Sequence, residues 1–308
     1  MEFGPHLILA MLEGLVQASV LTLTALGLSL VFGVMRVVNV AHGEFFMLGA
    51  VFAYVVTNWL PGNTAFGFLV ALVIAPLLVA IVAVVCDWLI LRRLEYDPER
   101  TIVATIGILY VVQQVTLMTY GPDAYPVTPP FNQRLAIPWF KITESGIDFY
   151  FPWGLSTTSY KLFVIAAACF AGLGIWVLIA RSRLGLILRA TQSDRETAQA
   201  FGIPVERVYA FVFGLGAAVA ALGAVLVVPI QQAHYLMGGD PLLLSFIVVI
   251  IGGLGSLRGT VVAAALIGMS NGLISVFFTP TLAKIIATLL VALVLVYRPA
   301  GLFGSRAT

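Results

Sequence analysis

Residues 37–50 read VVNVAHGEFFMLGA, and Asn39, His42 and Glu44 are the side chains in that stretch able to accept, donate or move a proton. Long apolar runs lie on both sides of them. An ionisable group at membrane depth costs about 3 kcal/mol or more unless it is paired or wetted, so such groups mark solute paths or internal bracing. His42 and Glu44 are two residues apart and would face different directions on one continuous helix. A turn at Gly43 would bring both to one cavity. Further polar groups interrupt the apolar sequence. Tyr110, Gln113 and Gln114 sit in mid-run; Gln231, Gln232, His234, Tyr235 and Asp240 separate two runs; Asn271 lies inside a later one. The candidate pathway set is Asn39, His42, Glu44, Gln113, Gln114, His234 and Asn271. The structural alternative is hydrogen bonding between helices, worth roughly 0.6–2 kcal/mol per pair.

Other chemistries fail on inventory. A Walker A loop needs Gly directly before its Lys. The lysines Lys141, Lys161 and Lys284 follow Phe140, Tyr160 and Ala283, so the chain supplies no such ATPase site. There is no H-E-x-x-H, and three scattered histidines with Cys86 and Cys169 give no metal-ligand spacing. GGLGSLRG (252–259) sets Ser256 among glycines but lacks the G-x-S-x-G spacing of a nucleophile elbow. It reads as a tight turn. No catalytic residue, cofactor site or metal site is expected.

The elements that hold these groups follow from composition. The 308 residues are 61% hydrophobic and 10% charged, against roughly 25% charged in a soluble domain. Apolar segments run near 7–33, 43–59, 66–91, 101–119, 160–180, 208–228, 242–254, 259–278 and 281–297. Their continuity predicts helices, not barrel strands. The fold class is an all-α polytopic membrane bundle of eight to ten segments in one transmembrane domain, 1–308. The 242–254 run is short for a crossing and is expected to be re-entrant or broken. HGEFFMLGA and RGTVVAAALIG form a weak internal echo. The N-terminus lacks a basic leader and reads as a retained span. Net charge is +2, which points to no nucleic-acid partner. Arginines concentrate at 92–100, 181–208 and the tail; these regions are expected on the cytoplasmic side, with the Pro-rich loop at about 120–159 outside and ordered by turns, of which a short hairpin is one form.

Within the cytoplasmic loop 181–207, SDRETAQAFGIP carries the sharpest local signal. Ser193 and Glu196 have the spacing of a capping box, and Asp194 and Glu196 suit a helix N-terminus. Gly202 fits the position just past the C-cap, with Pro204 beyond. The predicted helix has about two turns, with Ala198 and Phe201 sharing a side. It is too short to stand alone. It either rests on its own chain or docks a cytoplasmic partner.

FGVMRVVNVAHGEFFMLGA, RATQSDRETAQAFGIPVERVYAFVFGLGAAVAALGAVL, IGGLGSLRGTVVAAALIG and RPAGLF, in that order, resemble the inner-membrane permease of bacterial branched-chain amino acid ABC importers, the smaller of two paired permeases. The resemblance implies a second homologous permease, two cytoplasmic ATP-binding subunits that hydrolyse ATP, a periplasmic substrate-binding protein, surrounding membrane lipid and a location in the bacterial inner membrane. It implies that 194–201 is the coupling helix, so that Ser193, Asp194, Glu196, Ala198, Phe201 and Gly202 are candidate ATPase-docking residues. ETAQAFG keeps the Glu–x–Ala start and the Gly of the wider importer loop pattern, without the full Glu–Ala–Ala. The implied substrate is a branched-chain or other hydrophobic amino acid. Related permeases carry urea, amides or small carboxylates, and a self-contained secondary transporter or channel is the reading that needs no ATPase.

Overall fold

The computed structural model describes residues 3–60, 64–143, 146–151, 156–298 and 301–303. The described helices are α1 (Phe3–Met35), α2 (His42–Trp59), α3 (Thr64–Cys86), α4 (Pro98–Tyr120), α5 (Ser159–Arg181), α6 (Arg183–Ser193), α7 (Arg195–Ala200), α8 (Val205–Gln231), α9 (Gly239–Gly252), α10 (Leu257–Phe277) and α11 (Pro280–Tyr297). A π turn and a 3-10 turn extend α3 to Leu94. The α1, extended α3, α4, α5, α8 and α10 helices are long and apolar enough to cross a membrane. α2, α9 and α11 are shorter. The chain is a polytopic helical membrane protein, as composition required.

Helix limits follow local chemistry. Asp97 accepts from the Arg100 amide at 2.9 Å and Pro98 opens α4. Ser256 Oγ accepts from the Gly259 amide at 3.2 Å and starts α10, so the Ser256 hydroxyl is a helix cap. The GGLGS stretch is the expected turn, with Gly253 and Gly255 at φ 100° and 77°. The tail returns to this turn. Leu302 donates to the Ile251 carbonyl at 2.7 Å and Phe303 to that of Gly252 at 3.2 Å, satisfying carbonyls at the end of α9 that have no helical partner.

The architecture is two interlocked triplets. A long α1 is followed by an irregular stretch, the shorter α2 and then α3. A long α8 is likewise followed by an irregular stretch, the shorter α9 and then α10. Each triplet's last helix packs on the other's first, α10 along α1 and α3 along α8. Close glycine contacts fix the directions. Gly14 meets Met269 and Gly33 meets Gly255, so α10 runs antiparallel to α1; Gly27 meets Gly216 and Gly223 lies by Val20, so α8 also runs antiparallel to α1. The repeat is therefore inverted, an arrangement common in transporters. It pairs HGEFFML with GGDPLLL at the start of α9, and not with RGTVVAAALIG as the sequence echo suggested.

The 120–159 loop carries strand pairs. β1 (Arg134–Ala136) pairs antiparallel with β4 (Ser156–Thr158), and β2 (Trp139–Thr143) with β3 (Gly146–Tyr150). Tyr125 and Ala233 exchange backbone hydrogen bonds at 2.8 Å. The hairpin is present, and the loop is tied to the segment between α8 and α9.

Candidate functional site

Three places gather polar chemistry: the start of α2, a cavity near the 120–159 loop, and the loop around α7.

α1 ends at Met35, and Arg36 takes a left-handed φ of 56°. The chain then turns back irregularly before α2 begins at His42. His42 lies beside Gly27, about 12 Å along α1 from its end by the helical rise. Asn39 builds this restart: its Oδ1 accepts from the Ala41 amide at 3.1 Å. The Val40 amide donates to Thr105 Oγ1 of α4 at 3.2 Å. His42 Nε2 lies 2.9 Å from the Thr24 carbonyl of α1. A carbonyl only accepts, so Nε2 carries the proton and Nδ1 is left as an acceptor. Nδ1 and Glu44 Oε2 have no hydrogen-bond partner among the described residues. Asn39, His42 and Glu44 are all buried. Gly43 is not the turn expected from sequence. It lies inside the first turn of α2, pressed against Gly238 ahead of α9. The break lies at 36–41 because Asn39 offers the backbone a competing local hydrogen bond.

The cavity encloses about 430 Å³ between the first half of α1, the end of α8 and the α9, α10 and α11 helices. His234 and Asn271 line it; so do Gln17, Thr24, Asp240 and Lys284. Thr24 joins it to His42, which lies behind the wall. Gln113 and Gln114 lie elsewhere. Both are on the peripheral α4, the first half-buried and the second exposed on the outer surface. Asp240 pairs with Lys284 at 2.6 Å, and Glu13 of α1 pairs with Lys161 of α5. Sequence reasoning did not select Glu13, Lys161 or Lys284. The available signal was a lone charge inside each of three apolar runs.

At α7 the helix begins one residue later than the capping box required. Ser193 closes α6. Asp194 is the cap: its Oδ1 accepts from the Glu196 and Thr197 amides at 2.9 and 3.1 Å, and its Oδ2 from the Thr197 hydroxyl at 2.7 Å. With two carboxylate oxygens Asp194 reaches two amides and a hydroxyl, which outcompetes the Ser–Glu exchange. The Thr197 bonds, then that of Glu196, hold the Asp194 carboxyl below the ordinary Asp range. The capping form is thus complete at neutral pH and is lost as pH falls through that lowered value. Asp194→Ala should speed amide exchange across 195–200 several-fold while exchange in α8 stays unchanged. Equal exchange in both proteins would show that the cap contributes nothing.

The other end of α7 matches expectation. Gly202 sits at φ 83°; its amide donates to Gln199 and that of Ile203 to Ala198, at 2.9 and 3.1 Å. This is the paired bonding of a Schellman end, which favours glycine. Ala198 and Phe201 do not share an environment. Ala198 is buried against its own chain, whereas Phe201 is 83% exposed, because the C-cap residue has already left helical geometry. Arg195 anchors α7 from the side. Its guanidinium lies 5.9 and 5.6 Å from the rings of Tyr96 and Tyr209, which meet edge to face. Arg92 and Glu206 pair at 2.5 Å. The two arginine-rich loops thus form one surface, and the α1 end joins it through Arg36, which donates to the Gln192 carbonyl at 3.1 Å.

Residues 10–295 match the family described as branched-chain amino acid transport system, permease component. The chain belongs to that family. It is 27% identical to the high-affinity branched-chain amino acid transport system permease protein LivH of Salmonella typhimurium, over 96% of this chain and 94% of that protein. It is 26% identical to LivH of Escherichia coli with the same coverage. It is 25% identical to BraD of Pseudomonas aeruginosa, a protein of the same description, over 97% of this chain and 96% of BraD. No solved structure matches the chain. Family and spans together make this a multi-pass inner-membrane transport component, and not an enzyme.

Proposed function

We propose that this chain is the smaller permease of an ATP-driven importer for branched-chain or similar hydrophobic amino acids. ATP is hydrolysed by two partner subunits, a second permease completes the membrane path, and a periplasmic binding protein delivers substrate. The observation that carries this reading is α7, a short helix capped at both ends, braced from its own chain and presenting an 83%-exposed Phe201 on the arginine-rich face. A helix so held, with a large aromatic turned outward, has the form of a docking element. ATP-driven closure of the partners then pulls α7, and the bundle shifts between inward- and outward-open states, a two-state equilibrium biased by differential binding. His234 and Asn271 meet the solute in the cavity. His42 transmits strain through Thr24, and Asn39 and Glu44 brace the break beside it.

A tag on the tail after Arg306 tests the assembly. Pull-down from native membranes is expected to recover two P-loop ATPases and a second permease. Recovery of this chain alone, in detergent mild enough to keep known complexes intact, would favour a self-contained transporter or channel.

A further inference from the structure

We propose that the 430 Å³ cavity is a transient station for one zwitterionic aliphatic amino acid, with Lys284 taking its carboxylate and Asp240 and Asn271 taking its ammonium. This rests on the transport reading above and adds where and how the solute is read.

Three observations converge. The Asp240–Lys284 ion pair lies on the cavity wall with 67% and 46% of the two side chains exposed. Exposed pairs of this kind contribute little to stability, so a ligand that supplies both signs replaces one weak pair by two charge-assisted contacts at little cost. Asn271 lines the same cavity with 7% exposure, and its shielded Oδ1 has no hydrogen-bond partner among the described residues. A buried acceptor without a donor is unfavourable, and an ammonium brings three donors that meet it once the amide turns to the cavity. The wall also carries aliphatic side chains, among them Val20, Val227 and Leu244, beside the polar Glu13, Gln17 and His234; its aliphatic part suits a branched hydrocarbon side chain. The volume lies in the range of about 300–1,000 Å³ usual for small-molecule sites.

The same arrangement discriminates by charge. A carboxylate without an amine leaves Asp240 facing solvent and Asn271 without its donor. An amine without a carboxylate strips Lys284 of its partner. Urea offers Asn271 a donor and leaves the ion pair untouched. Asp240 sits at the start of α9, where the inverted repeat makes it correspond to Glu44 of α2. Glu44 is enclosed by protein and Asp240 opens on the cavity, so one half of the repeat braces while the other is free to bind.

The test places a thiol on the cavity wall one helical turn from Asn271. Ser275→Cys, in a Cys86→Ala, Cys169→Ala background, is assembled with its partner subunits in nanodiscs, without ATP or binding protein, and labelled with N-ethylmaleimide. L-leucine should slow labelling about fivefold at about four times its Kd. 4-Methylpentanoate, isoamylamine and urea should not slow it, and Asp240→Asn or Lys284→Gln should each remove the leucine effect. Uptake of leucine by the same complexes reconstituted in proteoliposomes, with binding protein and ATP restored, is measured alongside. No labelling, labelling indifferent to leucine, or equal protection by the three analogues, with uptake intact, would overturn the station and leave the transport reading standing. Protection and uptake with urea in place of leucine would overturn the amino-acid reading itself.

Discussion

Phe201→Asp is expected to reduce ATP-driven uptake by at least tenfold while the protein inserts and folds normally. Phe201 is 83% exposed and gives the fold almost none of its apolar surface, and surface substitutions without a structural partner usually change stability by about 0.5 kcal/mol or less. Its whole effect should therefore appear in partner binding. A central aromatic anchor at a protein interface is worth about 2 kcal/mol or more, which is roughly thirtyfold in affinity. A carboxylate forced into the same pocket adds desolvation to that loss. Ala198→Asp is the contrasting variant. Ala198 is 4% exposed against its own chain, so a charge there should lower thermal stability as well as uptake. The measurements are uptake in proteoliposomes, recovery of the ATPases with the tagged chain, and a melting temperature in detergent. Normal uptake by Phe201→Asp would remove α7 from the coupling path.

The legible parts of this molecule were those fixed by nearest neighbours. Apolar run length gave the spans, and the Gly202–x–Pro204 ending of α7 was readable because a left-handed φ and an N–H-less residue are local demands. The start of α7 was read one residue early because Ser193, Asp194 and Glu196 all have capping chemistry, and only geometry decides which carboxylate reaches two amides. The break before α2 was misplaced onto Gly43 for a different reason. Glycine is required there by the backbone of Gly238, far along the chain, which no local pattern reports. The cavity was half visible. His234 and Asn271 stood out as polar residues among apolar ones, whereas Gln113 and Gln114 stood out equally and lie on the peripheral α4, the first half-buried and the second exposed. Hydropathy shows that a polar group is present in a span; it does not show which side of the helix the bundle occupies. The partners of Glu13 and Asp240 come from α5 and α11, a fact of tertiary packing alone.

Gly43→Ala should be among the most damaging single-methyl changes in the chain, and Gly107→Ala should be harmless. A β-carbon added at Gly43 would lie 2.4 Å from the Gly238 carbonyl oxygen, and one added at Gly238 would lie 2.2 Å from that of Gly43. The obstacle on each side is backbone, so no rotamer change relieves it. Overpacking of this kind costs typically about 1–3 kcal/mol, occasionally more. The neighbours here are the starts of the two interrupted helices, and separating them would also pull Asn39 and His42 off their partners. Gly107 on α4 has nothing within 4 Å of the same β-carbon, and alanine in a helix is favoured over glycine by roughly 0.5–1 kcal/mol. Melting of the two variants in one detergent should therefore move in opposite directions. The uptake rate separates packing from mechanism: if α2 and α9 move against each other at this contact during transport, Gly43→Ala protein that survives purification will bind the proposed partner ATPases and still carry solute slowly. Unchanged melting and uptake in Gly43→Ala would mean that the two helix starts are not held in contact, and the interlocked triplets would lose their central junction.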